Sequence, residues 1–486
     1  MARWRLPGRA LVYGAVMTLL ITYYVLLLAR SYSTWSDCFT SNDSSGPYGD
    51  LADAFVHGRS DLLIDPDSSL LTTKTAQELY DPGERPDDIK FIWDYSYYKN
   101  SHSQTARYYL YFGPAPAIIF FCPAILIVNF HPSESLVLLI ISALQLLVFA
   151  SILRSLVLYA FKQAPLWLEG VLLAAFGICD LTPAFQERPQ VYELATASGM
   201  LFSLACFFFL FLALVSFRHR YICMTMSGTS LALAMSCRYI NVLIGAVLFL
   251  AWAYFVFGRE FKDTKVKPIR SALCLFLPAF ICGLSLMYYN YVRFDNPFET
   301  GIKYQINGVG NYDRIYFALK NIPDGLWNYY LLPYQFVPEF PFVDYWHYTP
   351  SFIYVRKEGD FHTGLFTSFP ICLLCLAWPY YVLKMQDTHS RRVVGLFGLF
   401  ISTWTLIIML CLTAYFATTF RHEVELQWPM LVLSTLALLA RSNGPGPFKT
   451  WELLVLALLV SYSCLMGFIY SLIGPWHWIE AYLRHV

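Results

Sequence analysis

From residue 192 the chain reads YELATASGMLFSLACFFFLFLALVS (192–216), FRHR (217–220), YICMTMSGTSLALAMS (221–236), CR (237–238) and YINVLIGAVLFLAWAYFV (239–256). Three apolar runs follow one another. They are broken only by the basic tripeptide Arg218-His219-Arg220 and by a tight joint at Cys237-Arg238. About 20 apolar residues cross the hydrocarbon core of a bilayer. The stretch therefore predicts successive membrane helices joined by hairpins. Further apolar runs lie at about 11–29, 136–157, 167–182, 270–290, 363–384, 393–416, 426–440 and 452–474. Together they predict an all-α polytopic membrane protein of about 11 transmembrane helices, forming one transmembrane domain over residues 1–486.

Composition agrees with that reading. Of 486 residues, 57% are hydrophobic, 18% aromatic and 14% charged. A soluble globular domain carries about 25% charged residues. A soluble enzyme, a disordered chain, collagen, a coiled coil and a disulfide-rich secreted scaffold are excluded together. The net charge of +1 argues against nucleic acid as a partner. The 12 cysteines are scattered, mostly in apolar runs (Cys206, Cys223, Cys274, Cys282, Cys372, Cys411), and read as small buried hydrophobes. Cys372 and Cys375 are three apart inside an apolar run, a poor setting for a metal. The chain has no P-loop, GxSxG, HExxH or dinucleotide fingerprint. Any chemistry must then use a substrate that arrives already activated.

The connections sort into two kinds. Arg218-His219-Arg220, the stretches 259–270 and 384–392, and residues 441–449 are basic. Residues 180–193, 294–362 and 418–427 mix charges with aromatics. The kinds alternate, and the positive-inside rule puts the basic set in the cytoplasm. Arg3, Arg5 and Arg9 precede the first run, which reads as a retained helix rather than a cleaved signal. A first extracytoplasmic loop then covers about 30–110, with thirteen acidic against seven Lys and Arg side chains up to Tyr109, and a second covers 291–362. The run 114–130 contains Pro114, Pro116 and Pro123 and is short for a span. If it crossed, Arg218-His219-Arg220 would fall outside, so it reads as a re-entrant or interfacial helix.

Polar residues gather on the outer side. Asp50 and Asp53 are helix neighbours in a segment whose Leu51, Ala54 and Phe55 form an apolar side. Trp93, Asp94 and Tyr95 set aromatics beside a carboxylate, and a second aromatic stretch, Tyr108 to Pro114, which includes Tyr109, follows. Such clusters suit sugar stacking and interfacial anchoring equally. Arg238 sits in so tight a hairpin that it lies at the outer bilayer boundary, where a guanidinium needs an anion. A phosphate fits its fork, and a distant Asp or Glu is the alternative. Arg188 with Tyr192 and Glu193, Arg293, and Arg421 with His422 and Glu423 also abut helix ends on that side. Arg188, Arg238, Arg293 and Arg421 are thus expected to converge on one anionic ligand.

In this pattern the chain resembles the GT-C superfamily of membrane glycosyltransferases, and most closely a bacterial GT-C-like group. The matching stretches are 51–59 (LADAFVHGR), 108–117 (YYLYFGPAPA), 188–193 (RPQVYE), 290–299 (NYVRFDNPFE) and 421–425 (RHEVE). The resemblance implies a large first outer loop with an essential acidic residue, and a polyprenyl-phosphate sugar donor. It also implies outer-side helices between the first and second spans. Asp43 is the nearest match to the family's acid, with Asp50 and Asp53 as rivals. The family's acidic pair reads Asn42-Asp43 here, and the Arg-Pro often found at the tight hairpin reads Arg238-Tyr239.

The function expected on this basis is inverting transfer of a sugar from a polyprenyl phosphate to an extracytoplasmic lipid or glycan acceptor. A carboxylate deprotonates the acceptor, and Arg238 and Arg421 hold the departing phosphate. Trp93 and Tyr95 pack on the sugar, and grooves between helices take the prenyl chain. A divalent metal such as Mg or Mn is left open. The expected location is the bacterial inner membrane with the site facing the periplasm, although a lone sequon at Asn42 would suit the endoplasmic reticulum. A lipid or glycan flippase is the rival, and it calls for inverted repeats and charges inside several spans. A non-catalytic membrane scaffold is the third reading. The topology is tested by cysteine labelling in intact cells on a background without accessible thiols. Ser60→Cys is expected to label from outside and Arg391→Cys only after permeabilisation; the reverse pattern contradicts the assignment.

Overall fold

The structure, a computed structural model, describes residues 5–30, 46–66, 80, 92–102, 105–187, 189, 191–258, 266–306, 317–336, 338, 343–345, 364–415, 418–444 and 446–473. In chain order, α1 (Arg5–Arg30) precedes the short α2 (Pro47–Val56), strands β1 (Ile92–Tyr98) and β2 (Arg107–Leu110), and the apolar α3 (Ala117–Val128). Next come α4 (Glu134–Tyr159), α5 (Leu166–Cys179), α6 (Val191–Val215), α7 (Arg220–Cys237), α8 (Ile244–Phe257) and α9 (Pro268–Phe294). Then follow β3 (Gln305–Ile306), α10 (Ile322–Leu326), β4 (Tyr334–Phe336), β5 (Val343–Tyr345) and α11 (Leu365–Ser368). A 3₁₀ stretch, Pro370–Ala377, runs into α12 (Trp378–Leu383), and α13 (Thr388–Ala414), α14 (Phe420–Ser442) and α15 (Thr450–Ile473) follow.

Among the described residues nine helical segments are long and apolar enough to cross a membrane. Two of the expected eleven runs fall short of that measure. Residues 221–236 lie on α7, which starts at Arg220 and is diluted by Thr225, Ser227, Gly228, Thr229 and Ser230. Residues 363–384 break into α11, the 3₁₀ stretch and α12, with Pro370 and Pro379 at the starts of the last two. The helix α3 is about 18 Å long at 1.5 Å per residue, against a core of about 30 Å. It packs on α2.

The packing centre is α14. Its most apolar window is completely buried, between α6, α13, α12 and the 3₁₀ stretch. Lipid is as apolar as leucine, so inside a bilayer the helices are joined by close packing and hydrogen bonds rather than by water exclusion. Ser434 Oγ accordingly donates to the Ile371 carbonyl at 3.0 Å. At the rim, α1 is fastened to α5. Arg9 Nε lies 2.9 Å from Glu169 Oε1, Tyr13 Oη donates to Glu169 Oε2 at 3.1 Å, and Tyr24 Oη to the Gly177 carbonyl at 2.7 Å. By contrast, α9 and α15 leave most of their apolar side chains exposed or only partly buried, as lipid-facing helices do.

Two small antiparallel sheets were not anticipated in the sequence. One has the strand order β2-β1-β3, with Ser96 opposite Tyr109; the other pairs β4 with β5. The first sheet is docked on the end of α9. Asn100 Nδ2 donates to the Val292 carbonyl at 2.9 Å, and the Ser101 amide and hydroxyl donate to Asp295 at 2.8 and 2.5 Å. Gly113, just beyond β2, runs over the end of α7: a Cβ there would lie 1.9 Å from the Ser236 carbonyl oxygen. The Tyr48 amide donates to Glu134 Oε1 at 3.1 Å, which ties α2 to the start of α4. These contacts define one face, here called the sheet face. It carries the starts of α4, α6 and α14 and the ends of α7, α9 and α13.

One close backbone contact between helices is testable. A Cβ on Gly228 would lie 2.3 Å from the Leu275 carbonyl oxygen and 2.9 Å from that of Cys274. Backbone cannot yield as a side chain tip can. Gly228→Ala is expected to push α7 from α9 and cost about 1–3 kcal/mol, read as a lowered Tm in detergent. An unchanged Tm would mean that α9 is not seated against Gly228.

Candidate functional site

On the sheet face a cavity of about 240 Å³ opens between the helix ends. Tyr111 and Phe112 reach it from the segment after β2, and Tyr192 from the first turn of α6. Arg238, Tyr239 and Ile240 come from the α7–α8 joint, and Leu412 and Tyr415 from the end of α13. Thr419, Arg421 and His422 come from the start of α14, and Thr300, Ile302 and Phe317 from the second loop region. Six aromatic rings therefore surround two guanidinium groups.

Each polar group is held from a different helix. Arg238 Nη1 donates to Thr196 Oγ1 on α6 at 2.6 Å, and its Nε lies 3.4 Å from Glu425 Oε1 on α14. Arg421 lies over the Tyr192 ring at 4.1 Å, with Nη1 3.8 Å from Glu193 Oε1. The two ion pairs cross, so α6, α7 and α14 are joined at one level. Tyr329, fully buried, sits with its hydroxyl 2.9 Å from His422 Nδ1 and accepts from the Thr419 amide at 3.2 Å. Glu193, Glu423 and Glu425 are all nearly inaccessible. For Glu423 one oxygen is buried without a hydrogen bond among the described residues.

The structure thus brings together Arg238, Arg421, Tyr192, Glu193 and His422, with Glu423 beside them. It places Arg293 elsewhere. That guanidinium is fully buried, donates to the Leu110 carbonyl and to Asn290 Oδ1, the latter at 2.7 Å, and stacks 3.8 Å over Tyr289. It fastens β2 to α9 and does not line the cavity, because docking the sheet buries it. Tyr109 likewise packs inside the sheet, 5.4 Å from the Phe294 ring, with Asn100 donating to its hydroxyl at 3.2 Å. Asp43, Arg188 and the side chains of Trp93 and Asp94 lie outside the described residues.

Asp50 and Asp53 lie on α2 and do not line the cavity. Asp50 accepts from the Tyr95 hydroxyl at 2.7 Å. Burial pushes its carboxyl above the ordinary aspartate value, the Tyr95 hydrogen bond pulls it back, and Asp53 pushes it up again. Asp53 lies 3.5 Å from His131 Nδ1. Among the described residues no three His, Cys, Asp or Glu side chains gather as a metal-holding group.

Sequence reasoning missed Thr196, Tyr329, Tyr239, Tyr415 and the role of Glu425. Thr196 and Glu193 are three apart on α6, and Glu425 is four beyond Arg421 on α14. Those spacings mark shared helix faces but do not say which arginine each serves.

No family model and no curated protein matches the chain. Among solved structures, the chain is similar to the oligosaccharyltransferase of Archaeoglobus fulgidus in its apo form. The match has a TM-score of 0.51 at 12% identity and covers 94% of this chain and 56% of the other. The same enzyme in complex with an inhibitory peptide and a dolichol-phosphate matches with a TM-score of 0.45, at the same identity and coverage. The chain thus spans little more than half of the oligosaccharyltransferase. At this identity the likeness is one of fold: the chain is a mainly α-helical, multi-pass membrane protein whose fold is similar to that of the archaeal oligosaccharyltransferase.

Proposed function

We propose that the protein is a membrane glycosyltransferase that moves a sugar from a polyprenyl-phosphate donor to a lipid or glycan acceptor outside the cytoplasm. The observation that carries the reading is the pairing of Arg238 and Arg421 in one aromatic-walled cavity at the sheet-face ends of the apolar helices. A prenyl phosphate places its anion at headgroup level, where a guanidinium at a helix end meets it. The bacterial inner membrane, with the sheet face toward the periplasm, is the proposed location.

In the proposed reaction the acceptor hydroxyl oxygen forms a bond to the anomeric carbon as the bond from that carbon to the phosphate oxygen breaks. The prenyl phosphate leaves, and Arg238 and Arg421 stabilise its charge. A first-loop carboxylate takes the hydroxyl proton. Asp43 remains the first choice for that base, by resemblance. Asp50 is its rival, supported by its partly desolvated setting and its hydrogen bond from Tyr95. Tyr192, Tyr415 and Phe317 offer ring faces for the sugar.

Two experiments test this reading. Donor titration in nanodiscs is expected to find donor affinity partly reduced in Arg238→Lys, which keeps charge but loses the fork, and severely reduced in Arg238→Ala. A folded Arg238→Ala protein with unchanged donor affinity would leave Arg238 as a structural cation only. Asn replacements at Asp43, Asp50 and Asp53 rank the bases, and transfer is expected to fall by about two to four orders of magnitude at the true one. Three fully active variants would exclude the first-loop mechanism.

Asp50 has a separate stability signature. Its folded-state carboxyl sits above its unfolded value, so the unfolded chain ionises first and stability falls as pH rises between the two. Asp50→Asn is expected to match the parent Tm near pH 3 and to exceed it at pH 7. A variant less stable than its parent at pH 7 would contradict the buried setting.

A further inference from the structure

The Arg238 guanidinium is already answered by a carboxylate. Its Nε lies 3.4 Å from Glu425 Oε1, and the same side chain is a wall of the cavity. Glu425 is 4% exposed, and its other oxygen is buried with no hydrogen-bond partner among the described residues. A carboxylate so enclosed relies on its cation to remain charged, since an unpaired buried anion is costly.

We propose that Glu425 holds the place of the donor phosphate on Arg238, and that phosphate binding and proton uptake by Glu425 are a single event. The inference rests on the reading that Arg238 takes the donor phosphate. A phosphodiester arriving at Arg238 sets a second anion beside Glu425. Two anions in one buried site keep a proton between them. That proton goes to Glu425, because a phosphodiester is much the weaker base. The neutral Glu425 then gives up the guanidinium, and its new O–H is a donor for the phosphate or for a neighbouring oxygen. When the prenyl phosphate leaves, the proton leaves and the ion pair closes again.

Other charged and titratable groups surround the pair. Tyr192 and Glu193 lie on α6, Cys237 at the end of α7 and Tyr239 just after it. Arg421, His422 and Glu423 lie on α14, and Tyr111 and Tyr415 stand in the cavity wall. Of these, His422 is the side chain whose ordinary titration falls nearest neutrality, so the experiment separates it from Glu425.

The probe is farnesyl methyl phosphate, a phosphodiester that carries one charge throughout the pH range used, titrated into the full chain in nanodiscs from about pH 5.5 to 8.5. One proton taken up per ligand weakens binding by up to about tenfold per pH unit as pH rises. The parent protein is expected to show that slope. Glu425→Gln is expected to bind the probe more tightly at the alkaline end and with no slope. Calorimetry of the parent protein in two buffers of different ionisation enthalpy is expected to find close to one proton absorbed per probe bound, and this readout stands even if Glu425→Gln does not fold. Binding without slope or proton uptake overturns the exchange and leaves the phosphate reading intact. A slope that survives in Glu425→Gln assigns the proton to another group, His422 first, and also overturns it. No binding at any pH rejects the phosphate reading itself, and the exchange with it.

Discussion

The sheet face depends on one interaction, the Arg238 guanidinium held between Thr196 and Glu425. It joins the end of α7 to the starts of α6 and α14, three helices whose apolar faces alone would not fix how far each rises toward the membrane surface. Lipid supplies little drive for one register over another, so polar contacts between helices set the register. The Arg421–Glu193 contact repeats the link between α14 and α6 at the same level. A buried ion pair is weak evidence for stability, because desolvation offsets most of the attraction, but it is costly to break on one side only. These pairs therefore serve geometry more than stability, and they hold the cavity walls at a fixed separation.

The membrane architecture was legible because spanning a bilayer demands apolar length and little else. The runs at 136–157, 192–216 and 393–416 fall on α4, α6 and α13 with boundaries within a few residues. Where packing against protein replaces contact with lipid, that signal fades. On α7, Ser227 and Gly228 face neighbouring helices, and the helix does not meet a lipid-based measure of length and apolarity. The sheets were illegible for a related reason. Residues 92–98 and 107–110 are mostly aromatic, and aromatics serve a strand, an interfacial belt and a sugar platform alike. Only the register of Ser96 against Tyr109 reveals that they pair.

The site was legible as a set of unusual residues but not as a set of contacts. Arg238 stood out because a guanidinium between two apolar runs demands an anion, and the demand is met both by Glu425 and, in the proposed function, by a phosphate. Its partner lies far along the chain, where no local spacing points back to it. Arg293 stood out for the same reason, yet it serves the Leu110 carbonyl and Asn290. The two arginines differ in what covers them. The docked sheet closes over Arg293, whereas the α7–α8 joint leaves Arg238 facing open space, and sequence cannot distinguish a covered helix end from an open one.

That difference bears on how such a site would work. A cation buried under its own fold, as Arg293 is, cannot exchange its partners without unfolding the contact. A cation at the wall of a cavity, held by one carboxylate and one hydroxyl, can change its anion while the helices stay where they are. Thr196 keeps Arg238 oriented whichever anion it faces. The buried carboxylate offsets the guanidinium charge when no ligand is present, so the empty cavity does not carry an unpaired cation in a low-dielectric setting. The same carboxylate sets the affinity limit for any anion that replaces it, and this favours a ligand that must be released after each reaction over one that is retained.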